Sequence, residues 1–500
     1  MVFYMRKRIF FIVVCVVQAG LCCAQKVFEY NTTCQQAYQE LTALRLVTGK
    51  ALIEQARRQN PDNLVPDFLE SYIDFFELFF NENPKEYAVR QPAMIARIAR
   101  LGEGPESSPF YHYTRAVATL HKAAVEIKFC NRWRAGNDFR DAFKMIRDNK
   151  KQFPTFLPNN LVYGPLQMAV GTIPKGYSWI ATLVGLKGNM PEGLKMIRGF
   201  LNSPDPWARL FKNEAQFYYC YLLFYLQNQQ EEAIRYIRNN KLDVVNNHLF
   251  TYMASNLGIN HKETEWGKSI ILNRNKGDEY LKTSVWDLEL GYAEVYHLNF
   301  PAAIRYFENF IANFRGNFYL KEAYQKLSWC YYLQGNLEKA EALRKQLILK
   351  GNNTLTDADK KANKDARSGV WPNQLLLKAR LLNDGGYNQE ALNLIYSKST
   401  DDFPNESEKL EFSYRVARIY DELGNDAKAI DAYLATIKRG ETRTEYFAAR
   451  AALQVAYIYE QRGQKDLATQ YYNICLNMEN HDYKDSIDQK AKAGIERCKS

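Results

Sequence analysis

LSWCYYLQGNLEKAEAL (327–343), VARIYDELGNDAKAI (416–430) and VAYIYEQRGQKDLAT (455–469) are written on one template, and LGYAEVYHLNFPAAI (290–304) keeps part of it. In each, a small residue (Ser328, Ala417, Ala456, Gly291) is followed twelve positions later by an alanine (Ala340, Ala429, Ala468, Ala303). The first three also place a tyrosine nine before that alanine (Tyr331, Tyr420, Tyr459) and a glycine five before it (Gly335, Gly424, Gly463). The spacing predicts a hairpin of antiparallel helices. Two helices approach to about 8–10 Å only where the crossing residues are small, and glycine suits the left-handed position that ends a helix. Phe307, Tyr433 and Tyr472 follow their alanines by four, on the buried face of the second helix. Each hairpin alone leaves an apolar face open, so neighbours must stack on it. The expectation is an all-α chain, an α-solenoid of roughly 10–11 stacked antiparallel hairpins with a terminal capping helix.

These residues make the chain resemble the tetratricopeptide repeat family. Its pattern has a small residue at the eighth position, tyrosine at the eleventh, glycine near the fifteenth, alanine at the twentieth and an aromatic at the twenty-fourth. The block ARLLNDGGYNQEAL (379–392) fits loosely, with Ala379 and Gly386 in place and Leu382 in the tyrosine position. The alanines fall at 303, 340, 391, 429 and 468, so the steps are longer and less even than the family's repeat of about 34 residues. The resemblance implies a superhelix whose groove holds a protein or peptide partner, with no enzymatic activity and no cofactor. In the family the second, fifth, ninth, twelfth and thirteenth positions face that groove. Carried over by register, these include Tyr292, Tyr296, Trp329, Tyr332, Arg380, Asn383, Arg418, Asp421, Tyr457 and Glu460. The family's carboxylate clamp needs Lys at the fifth position and Asn at the ninth. Here those places hold Leu288/Tyr292, Gln325/Trp329, Tyr414/Arg418 and Leu453/Tyr457, so the clamp is absent.

Upstream the template thins. CYLLFYLQNQQEEAI (220–234) places Ala233 correctly but has Asn228 for the glycine, and 247–271 pairs Ala254 with a bulky Trp266 twelve later. Apolar periodicity predicts helices around 34–59, 67–81, 86–101 and 109–130. The segment 160–200 is similar to the Gly/Pro-rich core of the tetratricopeptide-repeat-39, inclusion-clearance family, through Gly164, Gly171, Pro174, Gly185, Gly188 and Gly193. Its own composition reads as a helix buried at the centre of the superhelix. The polar stretch 351–370 reads as a long loop or exposed helix and a hinge. The organisation is therefore a degenerate repeat region over 25–275, clear repeats over 280–350 and 371–500, and the hinge between them.

Residues 1–24 read as a signal peptide: Arg6, Lys7 and Arg8 precede an apolar run too short to span a bilayer, with Cys22 and Ala24 before a cut. That implies an exported chain, periplasmic or envelope-associated, with no transmembrane helix after cleavage. Six scattered cysteines remain, and a bridge between Cys475 and Cys498 would tie the last repeat to the terminal helix. Residues 25–275 carry 31 Lys+Arg against 24 Asp+Glu, whereas 276–500 carry 32 of each. Arg132, Arg134, Arg140, Lys144 and Arg147 form a basic patch, either a solvated helix face or a contact for an anionic envelope surface. Nucleic acid is not expected, because aromatic motifs do not interleave the charge. The six histidines show no metal spacing, and GNMPEGLK (188–195) lacks the Lys-Ser/Thr of a phosphate loop. A rival reading is an all-α toroidal glycan-active enzyme or a glycan-binding envelope protein. It needs two converging carboxylates, and Asp357, Asp359, Asp401 and Asp402 are the loop candidates.

Overall fold

A computed structural model describes residues 25–171, 188–352, 354 and 356–499. The signal segment 1–24 and the part of the 160–200 segment holding Pro174 and Gly185 lie outside the described residues. Among the described residues there are 25 α-helices, and the only pairing of strand type is a single bridge between Val27 and Asn63.

The helices pair in chain order. The front half contains α1 (Thr32–Thr42) with α2 (Leu46–Gln59), α3 (Val65–Asn81) with α4 (Pro84–Leu101), and α5 (Pro109–Lys128) with α6 (Arg132–Gln152). Next, α7 (Pro158–Gly171) packs on α8 (Met190–Leu201), and the short α9 (Pro206–Leu210) leads into α10 (Lys212–Tyr221). A π-helical segment, Leu222–Leu226, extends α10 before α11 (Gln230–Asn239). Then come α12 (His248–Asn260) with α13 (Thr264–Asn273), α14 (Val285–Tyr296) with α15 (Phe300–Asn313), and α16 (Leu320–Leu333) with α17 (Leu337–Leu349). A single helix, α18 (Asp357–Ser368), precedes α19 (Gln374–Gly385) with α20 (Asn388–Ile395), α21 (Glu406–Glu422) with α22 (Asp426–Gly440), and α23 (Phe447–Gln461) with α24 (Lys465–Asn477). The terminal helix α25 (Lys484–Lys499) caps the stack.

One backbone device closes nine of these hairpins. A residue with positive φ ends the first helix at Leu44, Cys130, Asn228, Lys262, Leu298, Gly335, Gly386, Gly424 and Gly463. Five positions after each stands a buried small residue: Gly49, Ala135, Ala233, Gly267, Ala303, Ala340, Ala391, Ala429 and Ala468. In eight of the nine the N–H just after the left-handed residue donates five residues back, as in Asn336 to Tyr331 (2.9 Å), Asn131 to Glu126 (2.8 Å) and Glu263 to Gly258 (2.9 Å); after Asn228 the Gln229 N–H reaches Leu223, six back (2.9 Å). The five-residue bond is that of a Schellman cap, which satisfies a carbonyl that the helix end would leave open. Twelve positions before the small residue the partner helix is also small, now including Ala37, Ala123, Ser255 and Ala379. The exception is instructive: Cys220 precedes Ala233 by thirteen, and the π-helical turn absorbs the extra residue.

Several sequence expectations change here. The crossing residue of the 247–271 hairpin is Gly267 and not Trp266, since a Cβ on Gly267 would lie 2.8 Å from the Ser255 carbonyl oxygen. Residues 34–59 form two helices, because Leu44 takes φ 60° in a turn that no glycine or proline announces. Of the two readings of the polar stretch the helix is the one formed, over Asp357–Ser368, and what differs is its exposure, since Ala362 and Ala366 are buried against Leu347. Asp359 from this helix accepts the backbone N–H groups of Tyr319 (2.9 Å) and Glu322 (3.1 Å) at the start of α16. Cys475 and Cys498 stand as free thiols, Cys475 packed inside the last hairpin cluster, so the expected bridge is not formed.

The superhelix winds tightly enough for successive turns to touch. The first hairpin turn bonds to a later one through Leu281 N–H to Leu44 O (2.8 Å), His248 N–H to Ala43 O (3.0 Å) and Val47 N–H to Glu279 O (3.2 Å). Glu82 accepts from Asn317 N–H at 2.9 Å, and Lys262 pairs with Glu422 at 2.7 Å. In the front half the inner helices fill the axis. Buried Glu214 accepts the hydroxyls of Tyr38 (2.7 Å), Tyr72 (3.1 Å) and Tyr218 (2.8 Å), drawing α1, α3 and α10 together. Three donors satisfy a carboxylate that burial alone would make costly.

A matched pair of substitutions tests the turn device. A Cβ on Gly424 meets nothing within 4 Å, so Gly424→Ala isolates the cost of φ 74° and should lower stability by about 1 kcal/mol. Cys130→Gly should raise it by a similar amount, because exposed Cys130 holds φ 67° without a glycine's freedom. Urea titrations of both variants, read by circular dichroism, check the opposite signs.

Candidate functional site

The first helix of each back-half hairpin places charged and aromatic side chains on its inner face at helical spacing. On α19 these are Arg380, Asn383 and Asp384; on α21 Tyr414, Arg415, Arg418 and Asp421; on α23 Arg450, Gln454 and Tyr457. Steps of three and four keep each set on one side of its helix. With Lys262 from the α12–α13 turn and Lys490 from α25, they enclose a chamber of about 750 Å³. Six cations and four carboxylates line it, with Tyr296, Tyr446 and Tyr483 among the aromatic walls.

Most of the charges are paired. Arg380 reaches Asp384 at 3.4 Å, Arg415 reaches Glu411 at 2.8 Å, and Arg418 reaches Asp421 at 3.1 Å and Glu422 at 2.5 Å. Asp421 also accepts the Tyr433 hydroxyl at 2.6 Å. Arg450 and Lys490 are different: both line the chamber, and neither forms an ion pair with a described residue. Arg450, burial and Arg418 together push the Lys490 ammonium down to about 7. Burial, then Arg418, lowers Lys262 to about 8. The chamber thus holds positive charge that its own carboxylates leave uncompensated.

A second chamber of about 460 Å³ adjoins the first, and Ile259, Asn260 and Tyr296 line both. Its walls are aromatic, including Tyr221, Tyr252, Tyr292 and Phe318, with Glu289 and Glu322 among them. A smaller cavity of about 210 Å³ lies beside Trp329, Trp371 and Arg380.

The ten residues expected at the groove therefore divide. Tyr296, Arg380, Asn383, Arg418, Asp421 and Tyr457 meet in the basic chamber, and Tyr292 lies in the aromatic one. Trp329 is buried in the smaller cavity, under Lys326 (4.6 Å) and Arg380 (5.3 Å). Tyr332 lines none of the three: it stacks on Trp371 at 4.6 Å and donates to the Pro372 carbonyl at 3.0 Å. Glu460 is also elsewhere, engaged by Arg497 of the capping helix at 2.7 Å and by the Tyr472 hydroxyl. Register reasoning missed Lys262 and Lys490, which come from a turn and the capping helix. Arg450 does occupy the second register position of its repeat.

The basic patch sits on α6 and lines none of these cavities. Arg140 and Arg147 pair with the adjacent Asp141 (3.3 Å) and Asp148 (2.9 Å), Arg132 donates to the Thr354 carbonyl, and Arg134 and Lys144 are exposed. Of the carboxylates that a glycan-active site would use, Asp359 caps α16 and Asp402 accepts the Ser399 N–H at 2.7 Å. His261, Glu263 and Glu265, which lie close together in the sequence, engage separate partners: Glu231, Arg238 and Tyr387. No group of three or more His, Cys, Asp or Glu among the described residues could hold a metal ion.

No protein-family model and no curated protein matches the chain. Similar solved structures include a human IFIT1 dimer with PPP-AAAA, at 11% identity and TM-score 0.38, covering 90% of this chain and 97% of that one. An APC/C hetero-tetramer, Cut9–Hcn1, matches at 12% identity and TM-score 0.29 over 93% and 89% of the two chains. A monomeric IFIT1 mutant with m7Gppp-AAAA matches at 11% and 0.31, over 89% and 80%.

Uncompensated charge at a site lowers the stability of the empty protein. Lys490→Met should therefore stabilise the fold at neutral pH by about 1–2 kcal/mol, since it removes a cation that its neighbours repel. The sign follows from the depressed pKa: the cost is full below about 7 and fades as pH rises toward the ordinary lysine value. Thermal melts of the variant and parent at pH 6.5 read the difference.

Proposed function

We propose that the chain is a non-enzymatic binding protein that captures an acidic segment of a partner protein in the basic chamber. The observation that carries this reading is the pair of unmatched cations, Arg450 and Lys490, facing an axial space of about 750 Å³. A carboxylate-rich segment would pair with both and relieve their repulsion. The tyrosine walls suit an extended backbone, giving contact area at small entropic cost. The helical-repeat fold supports a scaffold role, since stacked hairpins present a continuous inner surface.

The site of action in this reading is the cell envelope. The basic and apolar order of residues 1–24 supports export. No helix among the described residues is long and apolar enough to cross a membrane.

A fluorescein-labelled oligoglutamate peptide is the direct probe. We expect salt-sensitive binding by anisotropy, with affinity reduced at least about tenfold in Arg450→Glu and in Lys490→Glu. Affinity should also fall between pH 6 and 8, as Lys490 loses its proton near 7, and this dependence should become smaller in Lys490→Gln, where Lys262, lowered to about 8, is left to titrate. An oligolysine peptide that binds as well as oligoglutamate would overturn the reading.

A further inference from the structure

The second chamber carries the opposite charge. Among its lining residues the cation is Lys128, which is already committed: it pairs with Glu82 at 2.9 Å and lies 3.9 Å from the Phe318 ring centre. Glu289 is only 4% exposed, yet no cation among the described residues pairs with it. Its Oε1 accepts the Asn256 amide at 2.9 Å, and no described group bonds its Oε2. Glu322, on the facing helix α16, accepts the Tyr292 hydroxyl at 3.0 Å and has Lys326 only at 3.8 Å. A buried carboxylate held by one neutral amide is an expensive arrangement unless something else compensates it.

The aromatic groups beside these carboxylates are unusually open. Tyr225 and Tyr319 present 45% and 42% of their surface, and both line the chamber. Tyr225 owes its place to the π-helical turn, where the one-residue insertion shifts it relative to Tyr221, on which it stacks at 5.9 Å. Such turns recur at functional sites because they re-aim a side chain at a cost in helix geometry. Ring faces combined with buried carboxylates are the two attractions that hold an organic cation.

We propose that this chamber binds an organic ammonium group, with Glu289 and Glu322 as counter-ions and Tyr225 and Tyr319 as ring faces. The site is independent of the basic chamber and stands without an acidic ligand there. The ammonium has two sources, a free alkylamine or the lysine side chain of a partner. Because the two chambers meet at Asn260 and Tyr296, a lysine near a run of acidic residues could occupy both. Burial, together with the like charge of Glu322, raises the Glu289 carboxyl to about 7, as expected for a counter-ion awaiting its cation.

Titration calorimetry of the full chain with choline, n-butylammonium and the neutral choline isostere 3,3-dimethylbutanol tests the site. We expect saturable binding of at least one ammonium and at least about tenfold weaker binding of the neutral isostere. The isosteric Glu289→Gln should weaken ammonium binding at least about tenfold, and Tyr319→Ala about threefold to tenfold, while Glu289→Gln does not lower the melting temperature of the empty protein. A peptide in which lysine is flanked by glutamates forms the second arm. Binding of that peptide but of neither free amine, if abolished by Glu289→Gln, assigns the site to a lysine side chain. Equal binding of the neutral isostere, no effect of Glu289→Gln, or no saturable binding of any of the cationic probes would overturn the proposal. None of these outcomes alters the oligoglutamate result, so the two chambers are judged separately.

Discussion

Everything in this fold depends on how closely two helices of a hairpin can approach. A left-handed residue ends the first helix, and five positions later a glycine or alanine lets the second helix lie against it. The small side chain sets the spacing within each hairpin. That spacing in turn decides how much apolar face is offered to the next one. The inner helices, and with them every side chain on the axis, are placed by the accumulated rotation of these units.

The two halves use the axis in different ways. In the front half a single carboxylate, Glu214, gathers three tyrosine hydroxyls from two other helices and its own, and large aromatics fill the remaining space. In the back half the inner helices carry arginines, carboxylates and tyrosines that do not meet across the centre, leaving connected space. The charges there are sorted, with excess cations at one end and excess carboxylates at the other. Sorting of that kind lowers the stability of an empty protein, so it favours recognition over packing as its explanation.

The repeat was legible where glycine marked the turn and hidden where another residue adopted the same conformation. Leu44, Cys130, Lys262 and Leu298 take left-handed angles that their side chains do not advertise, and a tertiary contact can hold such a turn. Leu44 is an example: its carbonyl accepts from Leu281 and the adjacent Ala43 carbonyl from His248. The register slip at Trp266 has the same origin, since the turn at Lys262 offered no glycine to count from. Site residues were legible only as far as the repeat register reached. Arg418 and Tyr457 follow it, but Lys490 belongs to the capping helix and Lys262 to a turn. Tyr332 and Glu460 obey the register and still miss the chamber, because α18 with its following segment and α25 bring Trp371 and Arg497 against them.

The contact between the first hairpin turn and the segment near residue 280 has a further consequence. Ordinary repeat arrays interact only with neighbours and can fray or fold one unit at a time. Here Arg45 and Glu279 are 234 residues apart in sequence, and the backbone around them is bonded as well. A tie of that span means the first hairpin turn cannot be completed until more than half the chain is available, and it couples distant repeats in one cooperative unit. Folding should pay the entropy of a large loop and proceed slowly for an all-helical protein. The front six hairpins would then melt together, and loss of any one of them would release the others.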